Sequence, residues 1–312
     1  MLDSTHKIEE IYDRSQFLAD RYARLAQLTR FETPITPYQG AQNVLFISLV
    51  RYQYLQNAWI IIQYNRGNHQ LAIDKLRSSY ELSRNMLKEA DCLLSKLVFL
   101  VLLDRQLKLL NILLDMEGTP APELYSFIKE LHPLSPEEIS LRKALRYEGL
   151  YVLNSQSSSQ TGIHYLLIKH NSSANIIAES YSAIARMSEM SGTDFIQARG
   201  KKLVHTGFTD YVRNFPGILF LTGATDVYIM YAEMGFYSSG YITLLKMKAD
   251  ILESGKQADE VLAYLSEKKK ACFNIFTGEE LEWDTAKSLL FFSGPNQEIN
   301  DNEDLRKIHI KF

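Results

Sequence analysis

Between Asn68 and Glu117 the chain carries neither glycine nor proline, and nothing else in the sequence limits the fold as strongly. The middle of this run, Leu97 to Leu103, is apolar on every side, the pattern of a helix buried all round. One unbroken helix of this length would reach ~75 Å at 1.5 Å per residue, whereas a compact domain of this size has a radius of gyration of roughly 20 Å. The run therefore has to fold back. We expect the break near Leu82 to Asn85, with Asp104–Arg105 as a second place for one. Composition agrees: 15 Gly and 8 Pro among 312 residues are few for a turn-rich β fold, and 46% hydrophobic content suffices for a large core.

Upstream, Ile8, Ile11, Leu18, Tyr22, Leu25 and Leu28 recur at helical spacing, which predicts one amphipathic helix over 4–30, ended by Pro34 and Pro37. Its polar face mixes Glu9, Glu10 and Asp13 with Arg14 and Arg24, a face suited to packing on the body rather than lying on a lipid surface. A helix over 42–64, a turn at Asn65–Asn68 and the long run follow. Downstream, we expect a short helix at 122–131 and then a capped start at Ser135-Pro136-Glu137-Glu138, whose helix runs to about Asn154. The Ser- and Gln-rich stretch 155–161 reads as a mobile loop, and 163–168 as a short strand or an extended approach to the next helix. Asn171-Ser172-Ser173 reads as the cap of a helix to about Met190 in preference to a glycosylation site. Shorter helices are expected around 194–199, 216–222, 225–234, 241–254 and 257–270. Three β-rich segments, 280–284, 289–293 and 307–312, predict a small antiparallel sheet. The fold class is thus mainly α, with a helical body over 1–272 and a β appendage over 273–312 packed on it as one continuous domain.

Charge and cysteine content narrow the function by exclusion. A net charge of −3 with basic residues spread along the chain argues against nucleic acid as a partner, and Lys268-Lys269-Lys270 reads as a solvated helix end. Cys92 and Cys272 offer neither metal spacing nor a disulfide framework, and Cys92 occupies a place for a small hydrophobe. His164 and His170 are six apart and do not make a helical metal pair. No cofactor is expected. The one polar cluster that stands out is Glu89, Asp91 and Lys96, beside the all-apolar run. On one helix Glu89 and Lys96 would share a face two turns apart, either as a buried ion pair fixing register or as a pocket with shifted pKa values.

Several segments carry resemblances. The stretch AWIIIQYNRGNHQLAIDKL, residues 58–76, resembles a single tetratricopeptide hairpin, with Gly67 in the turn and Ala72 at the close approach. Lacking further repeats at that period, it implies a local helical hairpin and not a solenoid. EADCLLSK at 89–96, LIKHNSSANIIAESY at 167–181, RNFPGILF at 213–220 and NIFTGEELEWD at 274–284 together resemble blocks of a family of proteobacterial envelope proteins with no established activity. Members carry a transmembrane anchor ahead of the segment matching residues 4–30. The resemblance therefore implies an inner-membrane anchor upstream of Met1 and a periplasmic body; the alternative is a cytoplasmic protein. The C-terminal stretch also resembles the closing hairpin of type II secretion pseudopilins. Those often bind calcium, but here no ligand ladder supports a metal at Asp301, Glu303 or Asp304.

These readings lead us to expect a non-enzymatic scaffold or protein-interaction module of the cell envelope, with a protein or peptide partner. Two alternatives stay open. A carrier of a lipid or other apolar ligand requires an enclosed cavity lined by Tyr and Phe, and a hydrolase requires carboxylates among Glu89, Asp91 and Glu148 to converge in a pocket.

Overall fold

The computed structural model describes residues 2–28, 39–116, 120–158, 170–199, 215–268, 273–294 and 306–311. Within them the helices are α1 (Leu2–Arg14), α2 (Gln16–Ala26), α3 (Gln39–Asn65), α4 (His69–Glu89), α5 (Leu93–Leu114), α6 (Pro122–Glu130), α7 (Pro136–Ile139), α8 (Arg142–Ser158), α9 (His170–Ser188), α10 (Gly192–Arg199), α11 (Phe215–Glu253) and α12 (Val261–Glu267). Three short strands close the chain: β1 (Glu282–Asp284), β2 (Leu289–Phe291) and β3 (Lys307–His309). The fold is mainly helical with a small antiparallel sheet near the C terminus, as the sequence leads one to expect. No helix among the described residues is long and apolar enough to cross a membrane.

Helices α3, α4 and α5 pack on one another, and α1 and α2 lie on their outer side. The α3–α4 turn is the predicted one. Gly67 takes φ +83, which an L side chain resists, and the Asn68 N–H closes the end of α3 by donating to the Gln63 carbonyl at 3.0 Å. The long helix α11 crosses α5 and α6 and receives the α8–α9 hairpin through α9. Its other neighbour is the sheet, ordered β1-β2-β3 with Trp283 opposite Leu290 and Leu290 opposite Ile308. Leu290 and Ile308 point inward and are buried, so the sheet joins a continuous apolar core that extends from Ala19 to Ile310. Three ion pairs among the described residues, each with one member buried and the other partly exposed, join these elements: Arg84–Glu138 at 2.5 Å, Lys248–Asp115 at 2.6 Å and Arg199–Glu233 at 2.7 Å.

Several boundaries differ from the sequence reading. The long run breaks at Ala90–Cys92 and not at Leu82–Asn85, and α5 passes through Asp104–Arg105 without interruption. The reason is that Leu82, Met86 and Leu87 continue the buried stripe of α4, whereas Ala90 turns extended and Cys92, at φ −130 and ψ 154, starts a new helix by accepting from the Ser95 N–H. The N-terminal helix is two helices, parted at Ser15. The capping box at Ser135 and Glu138 forms as expected, but its helix ends after one turn. Leu141 is fully buried there and donates its N–H to the Ser188 hydroxyl at 2.9 Å, which holds the chain in a kink before α8. Residues 155–158, expected in a loop, are helical; 159–161 and 163–168 lie outside the described residues. Helix α9 is already running at His170, so Asn171 is not its cap.

The largest difference is α11, a single helix of 39 residues where three were expected. Its glycines mark close approach instead of breaks: a Cβ at Gly235 would sit 3.2 Å from Ile139, and one at Gly240 would sit 2.5 Å from the Phe292 ring. Helix α12 is shorter than expected, and Lys268 is its exposed end, while Lys269, Lys270 and Cys272 lie outside the described residues.

Candidate functional site

The break between α4 and α5 gathers the residues that the sequence singles out. At the end of α4 the last carbonyls have no partner within the helix. Lys96 reaches back from the first turn of α5 and donates its Nζ to the Leu87 carbonyl at 2.6 Å, and Lys143 of α8 donates to the Lys88 carbonyl at 3.4 Å and to Glu89 Oε2 at 3.1 Å. At the start of α5 the mirror-image problem is met by Glu148 of α8, whose Oε1 accepts from the Leu93 N–H at 3.4 Å. Two lysines and one carboxylate therefore close both helix ends, each sign at the end its charge favours.

This geometry corrects the expected pairing of Glu89 with Lys96. The break lies between them, so the two-turn spacing that would put them on one face of one helix does not apply. Glu89 turns outward to Lys143, and Asp91 is half-buried at the junction. Lys96 is 1% exposed, and burial pushes its amine down to about 7, with Glu138 drawing it up and Lys143 pushing it further down. Burial likewise raises the Glu148 carboxyl, opposed by the hydrogen bond from Leu93.

On the stretch of α8 that brackets Glu148, from Arg142 to Leu150, α8 and α9 face each other across an open groove of about 450 Å³. Leu145, Ile177 and Tyr181 form its floor. Gly149, Ala178, Ser182 and Ala185 keep it wide, and Arg142 and Arg146 stand along the α8 side. Tyr181 is anchored from behind, its hydroxyl 3.2 Å from that of Tyr228 on α11 and the two rings edge-to-face at 5.3 Å. Burial raises the pKa of both phenols, so they stay neutral, hydrogen-bonded spacers between α9 and α11. Leu150, Ala178 and Ser182 are exposed at the groove's mouth.

Two other clefts accompany it. One of about 440 Å³ lies beside the junction between Lys88, Glu137, Arg142, Lys143 and Glu189. The other, about 470 Å³, lies over the sheet between Asp284, Lys287, Phe291 and Lys307. Both are open to solvent. Among the described residues no group of three or more His, Cys, Asp or Glu side chains is placed to hold a metal, and Asp301, Glu303 and Asp304 lie outside them, as does His164.

The sequence reading reaches the junction but misses the groove. The stripes Leu145, Gly149 and Ile177, Tyr181, Ala185 are visible at helical spacing; that these two faces meet is not, because nothing local specifies which helices pair. Comparison with known proteins finds no matching family model, no matching curated protein and no matching solved structure.

Proposed function

We propose that this protein is a non-enzymatic helical interaction module of the bacterial cell envelope, and that it takes a protein partner in the groove between α8 and α9. The observation that carries this reading is the groove itself: an apolar floor open to solvent, exposed apolar Leu150 at its edge, and small residues where a bulky side chain would close it. The junction supports it from the other side. The groups suited to acid or base work there are already engaged, Lys96 and Lys143 on carbonyls, Glu89 on Lys143 and Glu148 on a backbone N–H. The envelope assignment rests on the four resembling segments; the first, 89–96, lies at the junction, and Ile177, Ala178 and Tyr181 of the second line the groove.

A photoreactive phenylalanine analogue at Ala178, in living cells of the native host, tests the reading. A discrete adduct is expected from Ala178 and none from the same analogue at Leu262, an exposed position on α12. Equal adducts from both positions, or none from either, would remove the groove as an interaction surface; an adduct recovered only from the cytosolic fraction would remove the envelope. A second reading, a hydrolase drawing on Glu148, has in its favour the burial that raises this carboxyl beside Tyr181 and Tyr228.

A further inference from the structure

The groove has dimensions and chemistry that select among partners. Its α8 wall runs from Arg142 to Leu150 and its α9 wall from Ile177 to Ala185, roughly 12 Å each at 1.5 Å per residue, a little over two helical turns. Both walls are helices, whose backbone N–H and C=O groups are committed to their own ladders. A strand laid into this groove would find no main-chain partners, whereas a helix brings its own hydrogen bonds and needs only apolar anchors at i, i+3, i+4 and i+7. Charge then sets the flank. Arg142 shares Glu189 with the Ser140 hydroxyl, while Arg146, one turn on and exposed, meets no ion-pair partner among the described residues. Glu189 holds Arg142 through both carboxylate oxygens, so the positive charge left beside the apolar floor is that of Arg146.

Resting on the reading above, we infer that the partner is an amphipathic helix with an acidic flank, lying between α8 and α9 with its apolar face on Leu145, Ile177 and Tyr181 and its acidic flank against Arg146. Ser182, at the open centre of the α9 wall, lies beneath the middle of that helix.

The test uses the full chain and two fluorescein-labelled peptides of about 18 residues, long enough to hold helix when bound. Both carry Leu at i, i+3, i+4 and i+7; one has Glu along a single flank and the other has Lys at the same places. By fluorescence anisotropy at near-physiological salt, the Glu peptide is expected to bind about tenfold tighter or more, a difference of ~1.4 kcal/mol. Arg146→Glu should reverse that order, and Ser182→Trp should weaken both peptides while circular dichroism stays that of the parent. Equal affinity for the two peptides, indifference to Arg146→Glu, or failure of the Glu peptide to bind overturns the inference. So does binding to phosphatidylglycerol vesicles that Ser182→Trp abolishes while peptide binding persists, since the groove would then serve lipid. The cellular cross-link separates this inference from the reading beneath it. If the Ala178 adduct forms undiminished in Arg146→Glu cells, the interaction module stands and the acidic helix falls; if no adduct forms in the parent, the module itself falls.

Discussion

Lys96 sits almost fully out of water with a carbonyl as its partner, so its proton is held weakly. An ordinary lysine titrates near 10.5, and burial brings this one to about 7. Between those two values the unfolded chain keeps a proton that the folded chain has given up, so stability rises with pH over that window; below about pH 7 both states hold the proton and the penalty is present in full. Lys96→Met keeps most of the stem's packing and deletes the titration. We expect the variant to fold and to match or exceed the parent in urea at pH 6.5, with its advantage shrinking toward pH 9.5 as the parent's amine becomes neutral and the Leu87 carbonyl of the variant goes uncapped. Parallel urea midpoints across that range would show that the amine is not held out of water. Glu89 belongs to a different regime: its pair with Lys143 is more than half exposed on the lysine side, so Glu89→Ala should cost about 1 kcal/mol or less and not the several kcal/mol of a broken buried pair.

At the scale of elements, the same residue type acts in opposite senses in α8 and α11. Gly149 lies inside α8, and a Cβ there would meet Tyr181 Cδ2 at 3.5 Å, an ordinary contact. Gly149→Ala is therefore expected to stabilise the protein by up to ~1 kcal/mol, the helix propensity that glycine forgoes. In α11 a Cβ at Gly240 would come within 2.5 Å of Phe292, whose ring is packed against Tyr237 and Phe276 and has nowhere to swing. Gly240→Ala should cost about 1–3 kcal/mol in spite of its better propensity. Urea midpoints of the two variants check this; a gain at both positions would mean that α11 and the sheet do not approach as closely as they do here. These glycines also show where the sequence stops being legible. The turn at Gly67, the capping box at Ser135 and the three strands are readable because each is decided by its own few residues. The breaks at Ala90–Cys92 and Ser140–Leu141 draw on partners far along the chain, Glu148 and Lys143 joining the local Cys92 cap in one case and Ser188 holding Leu141 in the other. A glycine read alone could be a break or a close approach, and in α11 it is the second, so three expected helices are one. The groove is invisible for the same reason as the breaks: it belongs to a pair of helices and to neither one.

For the molecule as a whole, the question is whether the sheet is an appendage in energy as well as in sequence. Helix α11 touches α5, α6, α7, α9, β2 and β3, so it makes the main contact between the helical body and the sheet among the described residues. Freeing the sheet would uncover Tyr237, which is 1% exposed and packs on Phe276 and Phe292, and would open the core that begins at Ala19. At the far end of the same helix, the buried Lys248 donates to the partly buried Asn111 and Asp115 at 2.6 Å, tying α11 to the end of α5. Chains of this length often unfold through intermediates, which makes the outcome informative. The two tryptophans are placed to report it: Trp59 on α3 stacks on Tyr12 at 4.7 Å, and Trp283 on β1 packs on the core beside the sheet. Trp283→Phe leaves emission from the helical body alone, and Trp59→Phe leaves emission from the sheet alone. Because the apolar contacts run unbroken from one reporter to the other, the two variants are expected to show coincident urea transitions, each matching its own loss of far-ultraviolet circular dichroism. A Trp283 transition at clearly lower urea, with the helical signal intact, would instead make 273–312 a separately unfolding unit docked on α11, and would place the boundary near residue 272 in thermodynamics as well as in composition.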